Sequence, residues 1–225
     1  MPRYILIYCL FTFFISKPIW AQASNEYLDV IVIDAGHGGS DPGNLGTGNL
    51  KTTEKHINLD VALLLEAYIK QHMPGITVYQ TRKDDSYPTL QERAELANNK
   101  NADLFISIHC DAFKKSHVCG TSSLVLGKNH HKLNRTAIQE NGMLIAQEGQ
   151  QAVASITSQD ADTKYGSMLY SLQNLEKSVR LASKVQKEFK QRVQRVSRGV
   201  KHQSLYVLRA VSMPSILVEL GFLTN

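Results

Sequence analysis

Two histidines in this 225-residue chain stand where apolar runs stop. Val30-Ile31-Val32-Ile33 leads into Asp34-Ala35-Gly36-His37-Gly38-Gly39, and Leu104-Phe105-Ile106-Ser107-Ile108 ends on His109. Short apolar runs rich in β-branched residues and closed by glycine or polar sequence read as buried strands, so each imidazole is expected at a strand tip. Neighbouring strands of one sheet would bring both rings to the same edge. A hydrolytic zinc ion takes three protein ligands, commonly two histidines and a carboxylate at roughly 2.0–2.2 Å, and keeps its fourth position for water. His37 and His109 would supply two of these. Glu54 is the candidate third, because it lies in Thr52-Thr53-Glu54-Lys55-His56, just before Val61, Leu64, Leu65, Tyr68 and Ile69, whose spacing reads as one face of a helix. With either threonine as N-cap, Glu54 falls in the first helical turn, close to the preceding strand's end. A fourth group, Glu219, interrupts the apolar run Ser215-Ile216-Leu217-Val218-Glu219-Leu220. An acid inside such a run is expected to be paired, protonated or chemically employed.

Taken singly, each of these residues has an ordinary structural explanation: a hydrogen-bonded strand-end histidine, a helix-dipole carboxylate, an arginine-paired acid. The four are scattered, with no HExxH-like local motif. Together, however, the segments that carry them resemble the zinc-dependent N-acetylmuramoyl-L-alanine amidases of bacterial cell walls. The resemblance runs from about Val30 to Asn225 and rests on Asp34-Ala35-Gly36-His37-Gly38-Gly39, Glu54-Lys55 with Asn58-Leu59, and Thr81-Arg82. It continues through Leu90-Gln91-Glu92-Arg93, Ser107-Ile108-His109-Cys110-Asp111-Ala112 and Val218-Glu219-Leu220-Gly221-Phe222-Leu223-Thr224-Asn225. It implies that His37, Glu54 and His109 bind Zn2+, that Glu219 is the catalytic acid/base, and that the substrate is peptidoglycan, cut between N-acetylmuramic acid and L-alanine. Asp34 is expected to orient the histidines. Arg82 is read as structural, with binding of a stem-peptide carboxylate as its alternative. Two rival functions are a zinc peptidase acting on stem peptides and an inactive wall-binding module; the buried Glu219 argues against the second.

The elements that must position these groups alternate along the chain. Strand-like segments are expected at Val30–Ile33, Ile76–Thr81, Leu104–His109, Ser122–Leu126, Ser204–Leu208 and Ser215–Leu220, and helices at Asn58–Gln71, Leu90–Asn98 and Leu172–Val196. That order predicts one α/β domain over residues 28–225, with a mixed, mostly parallel sheet and helices on both faces. In open α/β sheets the crevice at the strands' C-terminal ends holds the site, where His37, His109 and Glu219 would fall. Residues 128–170 break the alternation and are expected to form a partly helical insertion. Such insertions resemble those of division-associated amidases, in which a helix covers the zinc until a partner protein withdraws it; the alternative is a surface loop that widens the groove. The sequence given stops directly after the last motif, whereas the resemblance implies one further helix packing on the sheet.

Residues 1–23 read as a secretory signal: Arg3, an apolar stretch from Tyr4 to Ile15, and Ala21-Gln22-Ala23 before Ser24. The stretch is short for a bilayer span, so no stable anchor is expected after cleavage, and the mature chain is expected in the periplasm or cell envelope. Cleavage would lower the formal charge from +5 to +3 and leave Cys110 and Cys119, either bridged or free. Basic residues along the long helix, from Lys177 to Arg195, read as a solvated face, and export with little aromatic interleaving speaks against nucleic acid.

Overall fold

The computed structural model describes residues 28–47, 52–127 and 164–225, with the side chains of 164–172 excepted. The leader at residues 1–23 and residues 128–163 of the expected 128–170 insertion lie outside the described residues; residues 164–170 of that insertion are helical, the start of the long helix. In chain order the elements are β1 (Val30–Ala35), α1 (Glu54–His72), β2 (Thr77–Gln80), α2 (Leu90–Asn99), β3 (Leu104–Asp111), β4 (Thr121–Leu126), α3 (Lys164–Gln191), β5 (Ser197–Gln203), α4 (Tyr206–Arg209) and β6 (Ser215–Phe222).

Six strands form one sheet in the order β2-β1-β3-β6-β4-β5. All neighbours run parallel except β4 and β6, which are antiparallel. The central strands are apolar on both sides, as a sheet covered on both faces requires. On one face Val32, Phe105, Leu124 and Leu217 pack with Ala97 of α2 and with Val207 and Leu208 of α4. On the other, Ile31, Ile33 and Ile108 meet Ala62 and Ile69 of α1, while Val125, Ile216 and Val218 meet Ala182 of α3. The mixed, mostly parallel α/β sheet with helices on both faces is therefore the architecture expected from the alternation of segments.

Two local expectations are corrected. The stretch Ser204–Leu208 is not a strand: Tyr206–Arg209 makes a helical turn, and the strand is the preceding Ser197–Gln203. That strand carries few apolar residues because it is the sheet's edge, paired on one side only. The buried face of α1 is also rotated from the apolar stripe, with Glu54, Asn58, Ala62, Glu66 and Ile69 inside while Leu64 is 70% and Tyr68 61% exposed. Thr53 is the N-cap of α1 and Glu54 falls in its first turn, as expected, although the Thr53 hydroxyl makes no cap bond and meets His56 Nδ1 at 3.0 Å. By contrast α2 opens with a full capping box, Thr89 accepting from the Glu92 amide and Glu92 accepting from that of Thr89.

Candidate metal centre

At the C-terminal edge of the parallel strands the chain leaves β1 through a tight turn. Gly38 and Asp41 exchange two backbone hydrogen bonds of 2.9 Å, and the turn needs glycine at its start: a Cβ on Gly38 would lie 2.1 Å from the Ser86 carbonyl. The same turn leaves His37 at φ 62°, a left-handed conformation uncommon for histidine. It also carries Asp41 back onto the His37 ring, where Asp41 Oδ2 meets Nδ1 at 2.8 Å. The other ring nitrogen, Nε2, therefore faces Glu54 Oε1 at 3.2 Å. From β3, His109 Nδ1 reaches the same carboxylate oxygen at 3.1 Å. The two rings meet edge to face, with centroids 4.8 Å apart.

Glu54 is fully buried and held at both oxygens. Its Oε2 accepts from the Asn44 amide at 2.8 Å and its Oε1 from the Cys110 amide at 2.9 Å; the Asn58 side-chain amide, one helical turn on, lies 3.4 Å from Oε1. Burial alone would raise the Glu54 pKa, but the hydrogen bonds from His109 and His37 hold it well below the ordinary carboxylate value. Burial would likewise lower that of His37, yet Asp41 and Glu54 raise it to about 9 in the metal-free protein. Each carboxylate here favours an imidazolium, and a divalent cation would satisfy the same negative charge.

The residues present fit such an ion. One ligand atom from each of His37, Glu54 and His109 lies within 4.8 Å of the others. Tetrahedral coordination at zinc distances places donors roughly 3.3 Å apart, which the two carboxylate–imidazole contacts approach. Two imidazoles and a carboxylate are also a donor set suited to zinc. Room is kept by glycine: a Cβ on Gly36 would fall 2.2 Å from His109 Nε2, and one on Gly43 would fall 2.7 Å from Glu54 Oε2.

Glu219, only 2% exposed, is the register partner of His109 across the parallel β3/β6 ladder, so both side chains rise from the same face of the sheet. Its charge, after burial and with that of Glu54, pushes the Cys110 thiol up. Cys110, buried, and Cys119, exposed, are both free thiols in this structure.

Asp34 does not orient the histidines. It is a buried counter-charge, accepting from Arg93 Nη1, Ser107 Oγ and Thr81 Oγ1, each at 2.7 Å. Burial would raise its pKa, and the Arg93 guanidinium with these donors holds it below its ordinary value. Arg93 in turn donates to the carbonyls of Ala35 at 2.7 Å and His37 at 2.8 Å, so it fixes the turn that presents the imidazole. Arg82 is structural, donating to the carbonyls of Ala35, Gly36, Lys55 and Asp84. Sequence reasoning missed the roles of Asp41, Asn58 and Arg93. For Asp41 there was a signal, a carboxylate a few residues beyond a candidate ligand histidine inside a glycine-rich turn.

A buried two-histidine, one-glutamate set at the C-terminal edge of an α/β sheet, with a second glutamate in register beside it, has the make-up of a metal-dependent hydrolase centre. Residues 31–225 match the N-acetylmuramoyl-L-alanine amidase family, and the chain belongs to it. It is 33% identical over 201 residues to the N-acetylmuramoyl-L-alanine amidase AmiA of Escherichia coli, an alignment covering 87% of this chain and 66%, just under two thirds, of that protein. Among solved structures it is similar to an N-acetylmuramoyl-L-alanine amidase from Clostridium difficile, at 29% identity and TM-score 0.63, covering 88% of this chain and 81% of that one. It is also similar to the CwlD amidase from Clostridioides difficile in complex with the GerS lipoprotein, at 29% identity and TM-score 0.61, covering 88% and 84%.

Proposed function

We propose that the protein is a zinc-dependent hydrolase that cleaves the amide between the lactyl group of N-acetylmuramic acid and L-alanine in peptidoglycan. One observation carries the reading: His37, Glu54 and His109 converge in a buried cluster, with Glu219 in register beside His109. His37, Glu54 and His109 would hold the ion. When bound, zinc polarises the amide carbonyl and lowers the pKa of a water towards neutrality. Asp41 fixes the His37 tautomer by accepting from Nδ1, which leaves Nε2 as the donor atom towards the ion. Glu219 takes the proton of the attacking water and returns it to the departing alanine nitrogen, a role that requires both to come within hydrogen-bond reach of its carboxylate. The crevice beside His37 and His109 is walled by Tyr87, Leu90, Leu205 and Val207, which exclude bulk water from one side of the reacting groups.

The same reading places the protein in the cell envelope, after removal of residues 1–23. Among the described residues no helix is long and apolar enough to cross a membrane. An activator protein is a proposed partner, supported by the relative solved with a lipoprotein. We assign the 128–170 insertion as the segment on which such a partner acts. The test is muropeptide analysis after digestion of peptidoglycan with purified, zinc-loaded protein. Release of intact stem peptides from uncut glycan is expected. Stem peptides cut internally would establish the peptidase, and no soluble product the inactive binder.

A further inference from the structure

Resting on that reading, we propose that Lys201 is a specificity-determining residue that binds a carboxylate on the released stem peptide, from its place in a row with Ser122, Glu219 and His109 across four adjacent strands.

The row follows from register. His109 on β3 pairs with Glu219 on β6, and Glu219 pairs with Ser122 on the antiparallel β4. Directly paired residues point to the same face of a sheet, with Cβ atoms roughly 4.5–5.5 Å apart in an antiparallel pair. Lys201 on β5 pairs with Leu124, two residues further along β4 and therefore on that face too. From there its side chain reaches back towards the edge, and Nζ donates to Ser122 Oγ at 3.2 Å. Ser122 is 1% exposed, whereas Lys201 is half-buried and keeps a path to solvent. Leu124 and Leu217, on this face, pack with Leu205 and Val207, which wall the crevice. The ammonium therefore stands on the crevice face, one strand beyond Glu219.

Its remaining hydrogen-bonding capacity points to a ligand. A lysine ammonium has three donors. Among the described residues Ser122 is its one hydrogen-bond partner, and no carboxylate pairs with it. The other cation considered for a substrate carboxylate, Arg82, is consumed by backbone carbonyls. The span also matches. Ser122 lies two strand spacings from His109, roughly 10 Å. An extended peptide advances at most about 3.6 Å per residue, so with the scissile carbonyl at the histidines, the second residue of the stem peptide comes into reach of Nζ. A carboxylate there would accept a charge-assisted hydrogen bond from Lys201.

The test compares two N-acetylmuramoyl tripeptides that differ only at the second residue, one with a free α-carboxylate and one with the corresponding carboxamide. Zinc-loaded wild type is expected to favour the carboxylate by about tenfold in kcat/KM, mostly through KM, the scale of a hydrogen bond to a charged group. Lys201→Gln should bring the two substrates within about twofold, while Lys201→Arg should restore most of the preference. A wild type indifferent to the change overturns the proposal. So does a Lys201→Gln variant that keeps the preference or loses activity equally on both substrates, the latter being the mark of a structural lysine. Failure of the wild type to cleave either tripeptide overturns the amidase reading and this inference with it.

Discussion

Arg93→Met should destabilise the domain by about 3–5 kcal/mol, the range for removing one partner of a buried ion pair. The site argues for that range: Arg93 is 2% and Asp34 1% exposed, their contact is 2.7 Å, and the same guanidinium serves the carbonyls of Ala35, His37 and Pro88. Methionine fills the volume, so the loss is electrostatic rather than a cavity. For a domain near 200 residues each kcal/mol moves Tm by roughly 2–4 °C, so a drop of about 6–20 °C is expected. The acid limb should move as well. In the wild type Asp34 has a lowered folded pKa, so it stabilises above its unfolded value near 3.8, and that contribution is lost as pH falls through the lower folded value. Without Arg93 the folded pKa rises, and acid unfolding should begin at higher pH. Urea melts at pH 7 and across pH 3–6 measure both effects, and Asp34→Asn in the Arg93→Met background should recover part of the loss. A loss under about 1 kcal/mol with an unchanged acid limb would refute the argument. Arg93→Lys, which keeps charge without the fork, should fall between.

Three further outcomes follow from the centre itself. Glu219→Gln should retain stoichiometric zinc by elemental analysis while kcat falls by about 10²–10⁴, whereas His37→Ala should lose the metal; near wild-type turnover in Glu219→Gln would remove its role as acid/base. Gly36→Ala should fold but fail to bind zinc, because its Cβ would sit 2.2 Å from His109 Nε2, and a melting temperature close to wild type with metal content near zero would confirm this. His37, at about 9 when metal-free, must shed a proton to bind zinc, so apparent affinity in a chelator competition should rise about tenfold per pH unit below pH 9 and then level off. The same raised value stabilises the metal-free fold fully below pH 6.5, and that stability should fade as pH rises through 9.

What could be read from the sequence was whatever one segment expresses alone. The runs that became β1, β3 and β6 bury both faces, so their apolar character survives without context, and the residues ending them had to lie at one edge. The positions of His37, His109 and Glu219 followed. β5 did not, because Ser197-Arg198-Gly199-Val200-Lys201-His202-Gln203 is an edge strand whose pairing, not composition, makes it a strand. α1 misled for a related reason: its inward face carries Glu54, Asn58 and Glu66, whose burial depends on partners far along the chain, such as Cys110 and Gln80. The role of Arg93 was illegible for the same cause, since the acceptors that tie it to the site, Asp34, Ala35 and His37, lie more than fifty residues away.

Glu54 does more than offer an oxygen to a metal. One carboxylate ties the amide of Asn44, ten residues back, to that of Cys110, fifty-six residues on, so it staples the loop that follows β1 to the C-terminal end of β3. Aspartate is as good an oxygen donor, but one methylene shorter, and from the first turn of α1 it could not span both amides at once. The choice between the two acids at this position is therefore made by the polypeptide and not by the ion. A substitution that satisfied every coordination rule would still unfasten the strand ends on which coordination depends.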